Sequence, residues 1–278
     1  MASILIVLVG IVGLLIGSFL NVVVYRVPKK LSIVSPPSAC PNCNHPIRRR
    51  DNVPVLSWLL LRGTCRDCHA PISRRYIGVE LATGVFFAAV AAWFAVGWLP
   101  TVTLASPGQY IGAVLVLIAY LYLAAISVVL TLIDIDHHLL PNRIVLPGYL
   151  VAAVLLGAAA ALAANYAAML SAVIGAAVMF GFYFALALLY PRGMGMGDVK
   201  LAGVLGLFLG FLGWQTLVVG LFAAFFVGGL FSIALILLRR ASRTTAIPFG
   251  PWMLLGAWLG IYFGTATLSG YLLLFGIY

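Results

Sequence analysis

The sequence predicts an all-α polytopic membrane protein of about eight transmembrane helices, with a small polar domain inserted after the first. Two observations carry this. The chain of 278 residues is 64% hydrophobic and 8% charged, with a mean hydropathy of +1.16, and apolar runs of about twenty residues, enough to span a bilayer, recur along it. Charge is concentrated in one segment that also holds all four cysteines. A soluble fold of this length needs far more surface charge. No segment alternates polar and apolar residues as a barrel strand does.

The elements follow in order. Residues 2–24 are apolar, and their first Lys and Arg come only at the far end, at Arg26, Lys29 and Lys30. Lacking a basic leading region, the stretch reads as an uncleaved first span (domain 1–25) with its N-terminus outside. Residues 26–76 form the polar domain. Residues 77–278 form a transmembrane core of about seven helices, expected near 78–98, 109–133, 144–165, 168–190, 199–212, 214–238 and 250–275. Residues 201–238 are 38 positions without a charge, too long for one span, and 210–214 is the expected break.

Charge orients this threading. Ten of sixteen basic residues lie between Arg26 and Arg75, and the rest are Arg143, Arg192, Lys200, Arg239, Arg240 and Arg243. Eight spans put all of them on one side, which the positive-inside rule makes cytoplasmic. The net charge of +10 therefore reflects membrane orientation. Dispersed basic residues without a binding fold argue against nucleic acid and point to anionic membrane lipids as partners.

Within 26–76, Cys40-Pro-Asn-Cys43 precedes Cys65-Arg-Asp-Cys68 by 21 intervening residues. Two such knuckles supply four thiolates for a tetrahedral site, which suits structural zinc and holds a domain too small for its own core. Two disulfides are the alternative, disfavoured in a reducing cytoplasm. A redox pair lacks its surrounding strand and helix pattern. His45 and His69 lie beside the knuckles and are expected to be bystanders.

Asp134 and Asp198 sit where apolar runs meet short polar breaks, and carboxylates at membrane depth are costly and usually functional. Asp134 closes the expected third span and Asp198 opens the sixth, so the topology brings both to the cytoplasmic face despite 64 residues of separation. Two adjacent carboxylates share a proton, so one takes a proton from water while the other polarises a carbonyl. Each also has a plainer reading. Asp198 follows Gly193-Met-Gly-Met-Gly197 and suits a helix N-cap, and Asp134 belongs to a polar cluster with Asp136, His137 and His138. Asp136 points roughly 200° away from Asp134 on a helix and cannot share its site. No nucleophile elbow supports a serine enzyme.

Several ordered motifs together resemble the type IV prepilin peptidases, membrane aspartic peptidases of the GxGD type, along nearly the full chain. Gly17-Ser-Phe-Leu-Asn21 with Arg26-Val-Pro28, then Asp51-Asn-Val-Pro-Val-Leu-Ser-Trp58 and Ile72-Ser-Arg-Arg-Tyr76, resemble the opening and cytoplasmic segments. Asp134 with Leu140-Pro141-Asn142, and Gly195-Met-Gly-Asp198-Val-Lys200, resemble the catalytic motifs. Pro248-Phe-Gly-Pro251 resembles the late loop.

The resemblance implies a bifunctional leader peptidase and N-methyltransferase of the bacterial inner membrane. Such enzymes cut the basic leader of type IV pilus prepilins or type II secretion pseudopilins after Gly at the cytoplasmic face. They then methylate the new N-terminal amine with S-adenosylmethionine. It makes Asp134 and Asp198 the catalytic pair and Cys40, Cys43, Cys65 and Cys68 the zinc ligands, and it leaves the methyl-donor residues unassigned. Asn142 departs from the Asp common after Leu-Pro. Asp136 and Glu80 are the acidic residues expected to attract a basic leader. A presenilin-like intramembrane aspartic peptidase without methyltransferase activity is disfavoured because Pro-Phe-Gly-Pro replaces Pro-Ala-Leu. A proton-coupled transporter is disfavoured because such sites lie near the midplane.

Overall fold

The computed structural model describes residues 2–191, 193–240 and 247–276. Arg192 and Arg243, two of the expected cytoplasmic basic residues, lie outside the described residues. Among those described the protein is helical, and its only β pairing is two isolated bridges, Ala39 with Pro46 and Thr64 with Pro71.

The helices are α1 (Ala2–Arg26), a short α2 (Leu56–Leu60), α3 (Arg74–Ala92), α4 (Pro107–His137), α5 (Asn142–Leu162), α6 (Tyr166–Leu189), α7 (Met196–Leu212), α8 (Trp214–Leu237) and α9 (Gly250–Leu274). Seven of them are long and apolar enough to cross a membrane. The expected sixth span is α7, whose 17 residues rise about 26 Å, short of the roughly 30 Å hydrocarbon core. Its short length goes with burial: Val199, Leu201, Val204, Leu205, Phe208 and Leu209 are all inside. The break expected within 210–214 falls at Gly213, where φ of 120° turns α7 into α8. Only glycine takes that backbone conformation readily.

Local chemistry sets the boundaries. Ser106 accepts from the Gln109 N–H at 3.3 Å, the Gln109 side chain accepts from the Ser106 N–H at 3.1 Å, and Pro107 follows. This reciprocal cap satisfies amides that a helix start otherwise leaves free. Asn165 caps α6 through the Ala168 N–H at 3.1 Å. At the far end of α4, His138 turns left-handed with φ of 50° and donates its N–H to the Asp134 carbonyl at 2.8 Å.

The chain divides into two compact units, Met1–Thr103 with Tyr120–Val129, and Leu104–Ala119 with Leu130–Tyr278. In the first, α1 and α3 approach through Gly13, Gly17 and Gly84: a Cβ on Gly17 lies 2.8 Å from the Glu80 Cα. Asn21 ties the same pair by donating to the Tyr76 carbonyl at 3.2 Å. Lipid offers no hydrophobic drive between helices, so small residues that admit close backbone packing hold them together.

The second unit repeats the device. Gly206 faces Gly175 across α6 and α7, with its Cβ position against the Gly175 carbonyl, and Gly256 and Gly260 of α9 face Gly220 of α8. Gly206→Ala is expected to cost about 1–3 kcal/mol through overpacking, read as a lower melting temperature in detergent. Gly157→Ala is the control, because nothing lies within 4 Å of its Cβ position.

Candidate active site and metal centre

Between α1 and α3 the four cysteine sulfurs lie within 4.8 Å of one another. Each knuckle folds the same way. The Cys40 N–H reaches the His45 carbonyl and the Asn44 N–H returns to Cys40, while the Cys65 N–H reaches Ala70 and the His69 N–H returns to Cys65. Asn44 and His69, both at φ of 58°, close these turns. His45 and His69 are outside the cluster, as expected of bystanders.

Tetrahedral zinc with bonds of about 2.3 Å places its sulfurs roughly 3.8 Å apart. Cys40 Sγ and Cys68 Sγ are 3.7 Å apart, so the donor set fits zinc. Two of the four thiols are drawn toward thiolate: the Ala70 N–H and the Asn42 amide hold the Cys68 thiol down at about 6, and the N–H groups of Cys43 and Asn42 lower Cys40. Burial and the neighbouring thiols push Cys43 up to about 12, so without metal the cluster keeps a proton there.

Around this cluster Arg66 grips Asp51 with two nitrogens, at 2.6 and 2.8 Å. Arg66 holds the Asp51 carboxyl below its ordinary range, so the pair is present at neutral pH and is lost as pH falls through that depressed value. Glu80, expected near a basic leader, is instead buried and accepts the Val55 N–H at 2.7 Å. Val55 holds φ of 61°, an uncommon conformation for a β-branched residue, so Glu80 anchors a strained turn of the polar domain to α3.

The two motif aspartates are brought together in the second unit. Asp134 lies in the last turn of α4, 5% exposed, and its Oδ2 accepts the Gly250 N–H at 3.0 Å. Gly250 opens α9 within the Pro-Phe-Gly-Pro motif, and a Cβ there would stand 2.7 Å from Asp134 Oδ2. Asp198 lies at the start of α7, and its Oδ2 accepts the Gly195 N–H at 3.0 Å. It is therefore not the N-cap expected: Gly195 occupies that position, and Asp198 closes the turn from the third helical residue, as the Glu of a capping box does.

Leu140 joins the two halves. It is 8% exposed and packs against both Gly197 and Gly250. The carboxylates of Asp134 and Asp198 lie within reach of each other's charge. Lys200 donates to Asn142 at 3.2 Å, tying the Leu-Pro-Asn turn to the Gly-Met-Gly-Asp segment, while Tyr149 donates to the Lys200 carbonyl at 2.7 Å. Asp136, His137 and His138 are exposed.

Sequence reasoning missed Tyr183 of α6. It is fully buried, lies within electrostatic reach of Asp198, and stacks at 5.5 Å on Phe225 and 6.2 Å on Phe249. A hydroxyl inside the apolar run Phe-Gly-Phe-Tyr-Phe was the available signal.

Fold and site define a class: a helical integral membrane protein in which two helix-end carboxylates converge beneath a glycine-bearing loop, with a four-cysteine module between its first two spans. Residues 11–94 match the bacterial peptidase A24 N-terminal domain, and residues 121–233 match the type IV leader peptidase family. The chain belongs to the type IV leader peptidase family. It is 38% identical over 290 residues to the prepilin leader peptidase/N-methyltransferase of Aeromonas hydrophila, covering 95% of this chain and 93% of that protein. It is 34% identical to the protein of that name from Pseudomonas aeruginosa, over 94% and 91% of the two chains. The Neisseria gonorrhoeae relative is 32% identical, over 91% and 88%. No solved structure matches the chain.

Proposed function

We propose that this protein is a bifunctional prepilin leader peptidase and N-methyltransferase of the bacterial inner membrane, with Asp134 and Asp198 as its peptidase dyad. The observation that carries the peptidase reading is the convergence of these two carboxylates, each accepting one backbone N–H, from Gly250 and Gly195. The substrates are prepilins or pseudopilins whose basic leader is cut after Gly at the cytoplasmic face, where the zinc module also lies.

In the reaction, the ionised carboxylate takes a proton from water as the water oxygen bonds to the scissile carbonyl carbon. The protonated carboxylate gives its proton to the carbonyl oxygen. As the C–N bond breaks, the carboxylate that took the proton from water gives it to the leaving amine, while a hydroxyl of the gem-diol returns its proton to the other carboxylate as the new C=O forms, which restores the single shared proton. The amide donors to Asp134 and Asp198 fix both carboxylates in place and satisfy one lone pair each.

S-adenosylmethionine would supply the methyl group for the new amine. A cavity of about 290 Å³ in the first unit is lined by Ser18, Phe19, Arg26, Asn52 and Pro54 among others. No carboxylate in that lining faces the donor's ammonium and sulfonium charges, so it does not fit, and no step is assigned there. Zinc held by Cys40, Cys43, Cys65 and Cys68 would supply structure to residues 26–76.

The test is purified protein in detergent with a synthetic prepilin bearing a lysine-containing leader and labelled methyl donor. Release of the leader, with label on the new N-terminal amine, is expected. An intact substrate after prolonged incubation with folded protein sinks the reading.

A further inference from the structure

Beyond the dyad and the cysteine cluster, one buried polar group near the site takes no part in the reaction described above. The Tyr183 side chain is fully buried, and among the described residues its hydroxyl has no hydrogen-bond partner. Buried hydroxyls are nearly always paired, and an unpaired one costs roughly 1–3 kcal/mol. Such a group calls for an explanation, and a catalytic role is one that its surroundings can support.

Its surroundings indicate what that is. The ring is clamped by Phe182, Phe225 and Phe249, with centroids at 5.6, 5.5 and 6.2 Å. Phe249 immediately precedes Gly250, the residue whose N–H holds Asp134. The phenol also lies within electrostatic reach of Asp198. The aromatic clamp therefore fixes a buried donor within reach of Asp198 and against Phe249, the residue before the Gly250 that holds Asp134.

We propose that Tyr183 is a third catalytic group of the peptidase, whose phenolic hydroxyl donates a hydrogen bond to the scissile carbonyl oxygen as that oxygen takes up charge. This rests on the aspartate-dyad reading. The water oxygen forms its bond to the carbonyl carbon, the C=O π pair moves onto oxygen, and both proton transfers remain those of the two carboxylates. Tyr183 keeps its proton throughout and acts only through the hydrogen bond. Donors fixed before reaction stabilise developing charge most effectively in a dry site. The waiting, unpaired hydroxyl is what such a donor looks like before substrate arrives.

The experiment compares wild type, Tyr183→Phe and Tyr262→Phe in leader cleavage and in methylation of a pre-cleaved peptide. Tyr262 is the control because its hydroxyl is also buried and unpaired but sits on α9 against Trp258. Tyr183→Phe is expected to lower kcat by about 10- to 1,000-fold, to leave KM within about threefold, and to leave methylation intact. Its melting temperature should hold or rise, since Phe keeps the ring and removes an unsatisfied group. 3-Fluorotyrosine at position 183 keeps the donor and is expected to restore cleavage. Full cleavage by Tyr183→Phe overturns the proposal, as does a loss shared with Tyr262→Phe or accompanied by a fall in melting temperature. Asp134→Asn and Asp198→Asn run alongside. If they still cleave, the dyad reading fails; if they are inactive while Tyr183→Phe is fully active, only the role of Tyr183 fails.

Discussion

Asp134→Asn and Asp198→Asn are each expected to abolish leader cleavage, by about 10⁴-fold or more, as expected when one member of a catalytic unit is lost, while the protein stays folded. The fold survives because Asn keeps an oxygen where each carboxylate accepts an amide: from Gly250 at Asp134 and from Gly195 at Asp198. Chemistry does not survive, because an amide neither takes a proton from water nor gives one to a carbonyl. The two losses should not add in the double variant, since either substitution already removes the shared-proton pair. Cleavage is read by leader release and folding by melting temperature. A single variant retaining wild-type cleavage would remove its residue from the dyad.

Zinc removal carries the second large effect. Cys65→Ser, or prolonged chelation, is expected to take zinc from about one per chain to near zero by elemental analysis. It should also open residues 27–73 to protease while the spans remain helical. Its other ties are scattered polar contacts and single packings, among them the Arg66 pair with Asp51, the Arg48 pair with Asp67, Trp58 packed on Gly63 and the strained Val55 turn on Glu80. In such a module, metal binding and folding are one free energy. Released ligands take up protons, so lowering the pH acts in the same direction as chelation. An unchanged protease pattern in zinc-free protein would show that the module folds without its metal.

How much of this was legible in the sequence depends on the range of the interaction. Apolar runs, the two CxxC knuckles and the break at Gly213 are local patterns, and each was read within a few residues. The short span expected at 199–212 is α7, which starts earlier, at Met196; what its hydropathy did not show is that it packs against α5, α6, α8 and α9. The N-cap assigned to Asp198 erred by three positions, since Gly195, with no side chain to advertise a cap, starts the helix. The Gly250 donor to Asp134 is 116 residues away, and Tyr183 becomes notable only once Phe249 and Asp198 are seen beside it. A sequence shows which carboxylates are costly in lipid, and only the folded chain shows which groups satisfy them.

The pairing of α1 with α3 has a consequence for how the polar segment can vary. Asn21 bonded to Tyr76, and Gly17 seated on Glu80, pin together the two ends of everything between. With its ends held by the helices, the segment is a closed loop whose length is nearly free: doubling a flexible loop costs only about 0.6 kcal/mol. The membrane pair is thus a socket, into which a longer, shorter or differently folded insert can be plugged without parting the helices that carry it.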